Sequence, residues 1–291
     1  MTATHTVELR YCDEKTALLG DAFRLLRLFT PPHLHERLAV ISAFHVEMRE
    51  MEYKFDQPAL ASLRLHWWQE EIDRATMNKA THPVTRQLSP WFEKYSAPAQ
   101  EARRMISALI DRLMYGLTDE EKFDAYCLNR GGAFFRMLAM LDEHHEIDDT
   151  LMSQVESWGK GGERVHLLEA RCKAAQMGVA VFPDDLLNRH RIDPVILTNP
   201  IPDSALTPLL EYIARQARND LNMPLMGSGR GRQIGRAALK IPAMYGGLAY
   251  MSLGRLEHAQ FDMAVTRTTH TPWRELWILW RSARRNRPPL I

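Results

Sequence analysis

Apolar residues along most of this chain recur every three or four positions, the spacing that gathers them on one face of an α-helix. Leu18, Ala22, Leu25 and Phe29 form a first stripe. It stops at Pro31-Pro32, where a fixed φ and a missing amide hydrogen end helical pairing. A second helix is predicted after these prolines, through Phe44 toward Tyr53. Ala61, Leu65, Trp68 and Ile72 make a third stripe opened by Pro58, with Arg64 and Glu71 on another face. Ala102, Met105, Leu109 and Leu113 make a fourth, closed near Gly116. Thr118 with Glu121 three residues on is a capping-box pattern, and the helix it opens carries Phe123, Tyr126, Phe134, Leu138 and Leu141. Leu209, Ile213, Ala217 and Leu221 begin another helix, and Ile234, Ala238, Ile241, Tyr245 and Leu248 resume the pattern. No alternating stretch of useful length and no internal repeat interrupts it. The expectation is an all-α chain in which residues 1–291 form one domain, with the irregular region His190 to Thr207 a surface loop of the same bundle.

Three interruptions invite a chemical reading. The Gly131-Gly132 pair costs about 1 kcal/mol per glycine against alanine in a helix, and is read as a close helix crossing. His144 and His145, within Asp142 to Asp149, lack the i, i+4 spacing of metal ligands on a helix and are read as a solvated loop. Gly227 to Arg232 is a glycine-rich break without the order of a phosphate loop. His45 and His66 are read as satisfied helix histidines.

Composition narrows the picture. With 291 residues, 45% of them hydrophobic, the chain is able to bury a sizeable core. Its 37 Lys and Arg against 36 Asp and Glu leave no global field to attract nucleic acid. Cys12, Cys127 and Cys172 fit neither a disulfide framework nor a zinc site, which suits a reducing compartment. The first residues lack the apolar core of a secretory signal, and no stretch approaches the ~18 apolar residues of a membrane span. A cytoplasmic protein is expected, with the option of a peripheral place on the cytoplasmic membrane, or on the matrix side of the inner membrane in a mitochondrial setting.

The tail, residues 272–287, reads two ways. Trp273, Leu276, Trp277 and Trp280 share a face, Arg274 and Arg281 flank it, and Arg284, Arg285 and Arg287 follow. That is the pattern of a helix lying in a membrane surface. It is equally the pattern of a final core helix with a basic end.

Several blocks in order resemble the squalene/phytoene synthase family: Leu38 to Phe44, Leu63 to Glu71 with its Trp67-Trp68 pair, His82-Pro83, Phe123 to Cys127, Gly178 to Leu187, and Asn222 to Gly247. The resemblance implies an all-α isoprenoid-synthase-like bundle around a central cavity. In the family's enzymes two aspartate clusters hold Mg²⁺ ions that clamp a prenyl diphosphate, as hard cations take oxygen ligands. Aligned on Ala43-Phe44, the first cluster falls at Arg49, Glu50 and Tyr53, and aligned on Gly178 the second falls at Ala170 and Ala174. Val179 stands where a phosphate-binding arginine is expected. Of the carboxylates nearby, Glu47 and Glu50 share a helix face and leave one weak Mg²⁺ site conceivable, whereas ion pairing of Glu47, Glu50 and Glu52 is the plainer reading.

The Phe44 to Glu47 stretch without following aspartates is most similar to a non-catalytic branch that includes a mitochondrial complex I assembly factor. That resemblance implies a catalytically inactive scaffold or assembly protein with a protein client, such as a respiratory complex subunit, and a lipid or prenyl ligand in the old cavity. No cofactor is implied unless the alternative holds, a Mg²⁺-dependent head-to-head prenyltransferase. Cavity candidates are Phe44, Glu47, Arg64 and Trp67. Arg64 either holds an anionic headgroup there, pairs with Glu71 or Asp73, or simply lies exposed.

Overall fold

Prolines and short polar side chains set the helix boundaries in a computed structural model that describes residues 3–52, 58–142, 147–223, 238–266 and 272–288. The helices are α1 (Ala3–Thr16), α2 (Asp21–Phe29), α3 (His35–Met51), α4 (Pro58–Thr76), α5 (Pro83–Lys94), α6 (Ser96–Tyr115) and α7 (Glu120–Cys127). A π-helical turn, Leu128–Gly132, leads into α8 (Ala133–Ala139), followed by α9 (Asp149–Gln176), α10 (Asp184–Arg189) and α11 (Thr207–Leu221). Two further long helices, Lys240–His258 and Pro272–Arg285, complete the bundle, with a short turn of helix at Met263–Thr266 between them. No strand occurs among the described residues. Tyr53, His144, His145, Gly227 to Arg232 and Ile234 lie outside them.

Most stripes pack as their spacing predicts. Ala61, Leu65, Trp68 and Ile72 are all buried, as are Leu209, Ile213, Ala217 and Leu221. The first stripe differs. Leu18 is exposed, and the core takes Phe23 and Leu26 instead. A 3₁₀ turn, Ala17–Leu19, and Gly20 at φ 72° separate Leu18 from α2, so the apparent period spans two elements of different phase. The cap of α7 also moves by one residue: Asp119, not Thr118, accepts the Lys122 amide at 2.8 Å.

Glu71 turns inward rather than sharing an exposed face with Arg64. It is fully buried and accepts from the backbone amides of Thr81 (2.6 Å) and His82 (2.7 Å) and from the Thr85 hydroxyl (2.6 Å), with Arg74 at 2.8 Å. It thereby satisfies amides that open α5. Burial alone would raise its pKa. These donors outweigh burial and hold it at about 2.

Long α9 is the axis of the fold, packed by α8, α11, the π turn and the Lys240–His258 helix. At Gly131 and Gly159 the chains touch backbone to backbone. A Cβ on either glycine would collide with the other's carbonyl, so the glycine pair is a close crossing. Farther along α9, buried Arg171 donates to the carbonyls of Asn199 (2.6 Å), Pro200 (2.8 Å) and Phe261 (3.0 Å). This clamp fixes the Pro-rich region onto the bundle, and one hydrophobic cluster runs from Cys12 to Leu279.

The C-terminal helix is two-faced. Ile278, Leu279 and Ser282 are buried against the Lys240–His258 helix and α2, whereas Trp273 is 81% exposed and Trp277 and Trp280 are nearly half exposed. The helix therefore belongs to the core through one face and carries its tryptophans on the other.

Candidate functional site

Helix α3 carries Arg49 and Glu50 and α9 carries Ala170 and Ala174, positions that the sequence aligns with the family's two aspartate clusters, and the two helices meet through charge. Arg49 donates two parallel hydrogen bonds to Glu163 of α9, Nη1 to Oε1 at 2.5 Å and Nη2 to Oε2 at 2.6 Å, the fork geometry that suits guanidinium and carboxylate. Nη1 also reaches Glu52 Oε1 at 3.2 Å. The buried Glu52 carboxylate also faces Arg130 Nε at 3.4 Å, His166 Nε2 at 3.7 Å and Arg112 Nη1 at 3.8 Å. Burial acts to raise the Glu52 pKa, but the adjoining Arg49, then His166 and Arg130, pull it well below the usual carboxylate range.

The imidazole of His45 stacks on Phe134 with centroids 3.9 Å apart, between Arg49 and Arg130. Burial first, and then those two cations, push its pKa well below the ordinary histidine value, so the ring is neutral at pH 7. Arg130 is wholly buried, and its Nε and Nη2 have no hydrogen-bond partner among the described residues.

The remaining acids are engaged elsewhere. Glu47 accepts the Tyr11 hydroxyl at 2.5 Å and faces Lys15 Nζ at 2.9 Å, and Glu50 binds the same Lys15 at 3.0 and 3.1 Å. Ala174 is buried in α9 and Ala170 half-buried; neither offers a donor atom. A Mg²⁺ cluster needs several free oxygen ligands converging from two walls. The residues here do not fit it: one position is a guanidinium, two are methyls, and Glu47, Glu50 and Glu52 are all ion-paired. Among the described residues no group of three His, Cys, Asp or Glu is placed to hold a metal ion.

Two pockets flank the network. One, of about 280 Å³, is lined by Arg49, Glu163 and His166 together with Phe134, Phe135 and Leu248. The other, of about 370 Å³, lies against Glu52, Arg112, Leu65, Leu109 and Val179. Of the residues proposed for a cavity, Phe44 is buried and packs edge-on against Trp68 at 5.9 Å, and Glu47 is spent on α1. Arg64 and Trp67 stand on the exposed face of α4. Glu71 and Asp73, the partners expected for Arg64, are taken by Arg74 and by Arg103 at 2.7 Å.

Sequence reasoning missed Glu163, Arg130, His166 and Arg112 as members of one site. The one available signal was Arg130, a charge that directly precedes the glycine pair read as a close helix crossing.

Helices arranged in this way define an isoprenoid-synthase fold. The structure is similar to a crystal structure of a dehydrosqualene synthase in complex with ligand, at a TM-score of 0.77 and 15% identity over 95% of each chain. It is also similar to the squalene synthase HpnC from Alicyclobacillus acidocaldarius, at a TM-score of 0.69 and 14% identity over 90% of this chain and 97% of that one. Identities this low speak to fold. No curated protein sequence matches the chain significantly. The squalene/phytoene synthase family model matches residues 20–276, and the chain belongs to that family.

Proposed function

We propose that this protein is a non-catalytic member of the squalene/phytoene synthase family that works by binding, as a scaffold or assembly factor. The observation that carries this reading is the Arg49–Glu163 ion pair, which joins the two motif helices where metal-binding carboxylates would have to face each other. A guanidinium in that place repels Mg²⁺. Enzymes draw about 8 kcal/mol or more from transition-state stabilisation, and a diphosphate leaving group with no metal forgoes the largest electrostatic share of it.

Pocket size supports the same reading. At about 280 Å³ beside Arg49 and about 370 Å³ beside Glu52, the two cavities lie at the low end of the ~300–1,000 Å³ usual for one small ligand, and neither offers room for two prenyl diphosphates. Its mixture of charged and aromatic walls suits one end of a lipid or prenyl ligand. The client is a protein, and the resemblance in α3 favours a subunit of a respiratory complex such as complex I.

The deciding experiment is turnover of farnesyl or geranylgeranyl diphosphate with Mg²⁺. No pyrophosphate release above background is expected, and Ala170→Asp with Ala174→Asp should not create it, since Arg49 would remain. Mg²⁺-dependent release that disappears in Glu50→Ala would establish the prenyltransferase instead.

A further inference from the structure

We propose that the outward face of the Pro272–Arg285 helix is a docking face for the anionic surface of a lipid bilayer. Trp273, Trp277 and Trp280 sit at i, i+4 and i+7 and are 81%, 47% and 46% exposed, with Leu276 half-buried beside them. They form a stripe about 10 Å long on a helix that rises about 1.5 Å per residue. Ile278, Leu279 and Ser282 anchor the opposite face in the core, so the stripe is presented on a fixed support.

Charge selects the occupant. Arg274, Arg281, Arg284 and Arg285 share the helix with the stripe and Arg287 follows it, and the single acid of the segment, Glu275, is buried. The Arg281 guanidinium lies 5.0 Å from the Trp277 ring and that of Arg284 lies 5.5 Å from the Trp280 ring. Each cation is thus held beside the indole it flanks. The chain as a whole is nearly neutral at +1, so this basic concentration is local. Indoles favour the boundary between headgroups and acyl chains, and arginines beside them meet lipid phosphates. A helix fastened along its length by one face, with aromatics in a row and cations along their edges, matches a flat anionic surface lying parallel to it. No helix among the described residues is long and apolar enough to cross a membrane, so the contact proposed is peripheral.

The test is co-sedimentation of the full chain with vesicles of phosphatidylcholine alone or mixed with phosphatidylglycerol. Binding is expected to the mixed vesicles and to weaken as salt shortens the screening length. Trp273→Ala/Trp277→Ala/Trp280→Ala should lower the partition constant at least about tenfold with helicity retained by circular dichroism. Arg284→Glu/Arg285→Glu provides a second, fully surface variant should the triple variant misfold, and it should abolish the preference for phosphatidylglycerol. Failure of the wild type to sediment with the mixed vesicles overturns the proposal. So does unchanged binding by either folded variant. Self-association of the wild type in lipid-free buffer, lost in the tryptophan variant and without vesicle binding, would instead assign the face to a second copy of the chain. None of these readouts involves prenyl diphosphates, so they stand or fall apart from the reading of the old catalytic site.

Discussion

The junction of α3 and α9 and the outer face of the C-terminal helix both gather arginines, and they use them oppositely. At the junction Arg49 and Arg130 point inward and are met by Glu52 and Glu163. On the tail Arg281 and Arg284 lie over half-exposed indoles. The interior arrangement is turned on itself: its carboxylates face arginines, and the Arg49–Glu163 pair ties α3 to α9. The surface arrangement faces outward, its three tryptophans 46–81% exposed, and is the one proposed above to meet a partner from outside. Retention of a fold thus says little about which of its surfaces acts.

Breaking the junction should give the largest effect. Glu163→Ala leaves Arg49 buried without its bidentate acceptor, and removing one partner of a buried ion pair costs about 3–5 kcal/mol. Arg49→Met with Glu163→Leu removes both charges and should cost less than Glu163→Ala alone. Urea unfolding of Arg49→Met, Glu163→Leu and the double variant gives the coupling directly. Additive losses would show that the pair is not the unit described above.

A second prediction concerns acid. The Glu71 carboxyl is depressed to about 2 in the folded chain, below the ~4.3 of an unperturbed glutamate. Its contribution is therefore complete above pH ~4.3 and is lost as pH falls toward about 2, because the unfolded chain takes up the proton first. That difference corresponds to roughly 2–3 kcal/mol. Glu71→Gln should lower stability at pH 7 by roughly that amount and flatten the acid limb of a stability-against-pH curve, with Glu52 supplying the remaining slope in the same direction. An unchanged acid limb would mean that the amides of Thr81 and His82 do not depend on the carboxylate.

Intermediate in size is Gly131→Ala. Its Cβ would strike the Gly159 carbonyl, and overpacking at a site with no flexible side chain to yield costs about 1–3 kcal/mol. Thermal unfolding should show the loss, while Gly254→Ala, where nothing lies within 4 Å of the added carbon, should show none.

What the sequence discloses follows the same division. Stripes confined to one helix, such as Ala61 to Ile72, were legible because each buries as a unit. The α2 stripe misled because Gly20 resets the phase between Leu18 and Phe23, and glycine gives no sign in the sequence of when it adopts positive φ. Positions 49, 170 and 174 were singled out in the sequence by their resemblance to a family's motifs. Their replacement was not legible. Arg49 and Glu163 are 114 residues apart, and a pair between helices leaves no periodic trace along either. Arg130 was hidden further by the π turn, which rotates Leu128–Gly132 out of the helical register from which its face would be read.

The smallest effect predicted sharpens the contrast between the two regions. Trp273 is 81% exposed, so its side chain contributes little buried area to the folded chain, and Trp273→Ala should change stability by no more than about 0.5 kcal/mol. Trp277→Ala should cost more, about 1 kcal/mol, because half of its ring is covered and the Arg281 guanidinium packs on it. An exposed indole that stabilises nothing in the monomer must be judged by what it does outside it. Chemical denaturation of both variants, measured on the same samples used for vesicle binding, separates the two contributions. Near-native stability with impaired binding marks the stripe as an external surface. A loss of several kcal/mol at Trp273 would mean that the helix packs with its aromatic face inward, and the contrast with the α3–α9 junction would collapse.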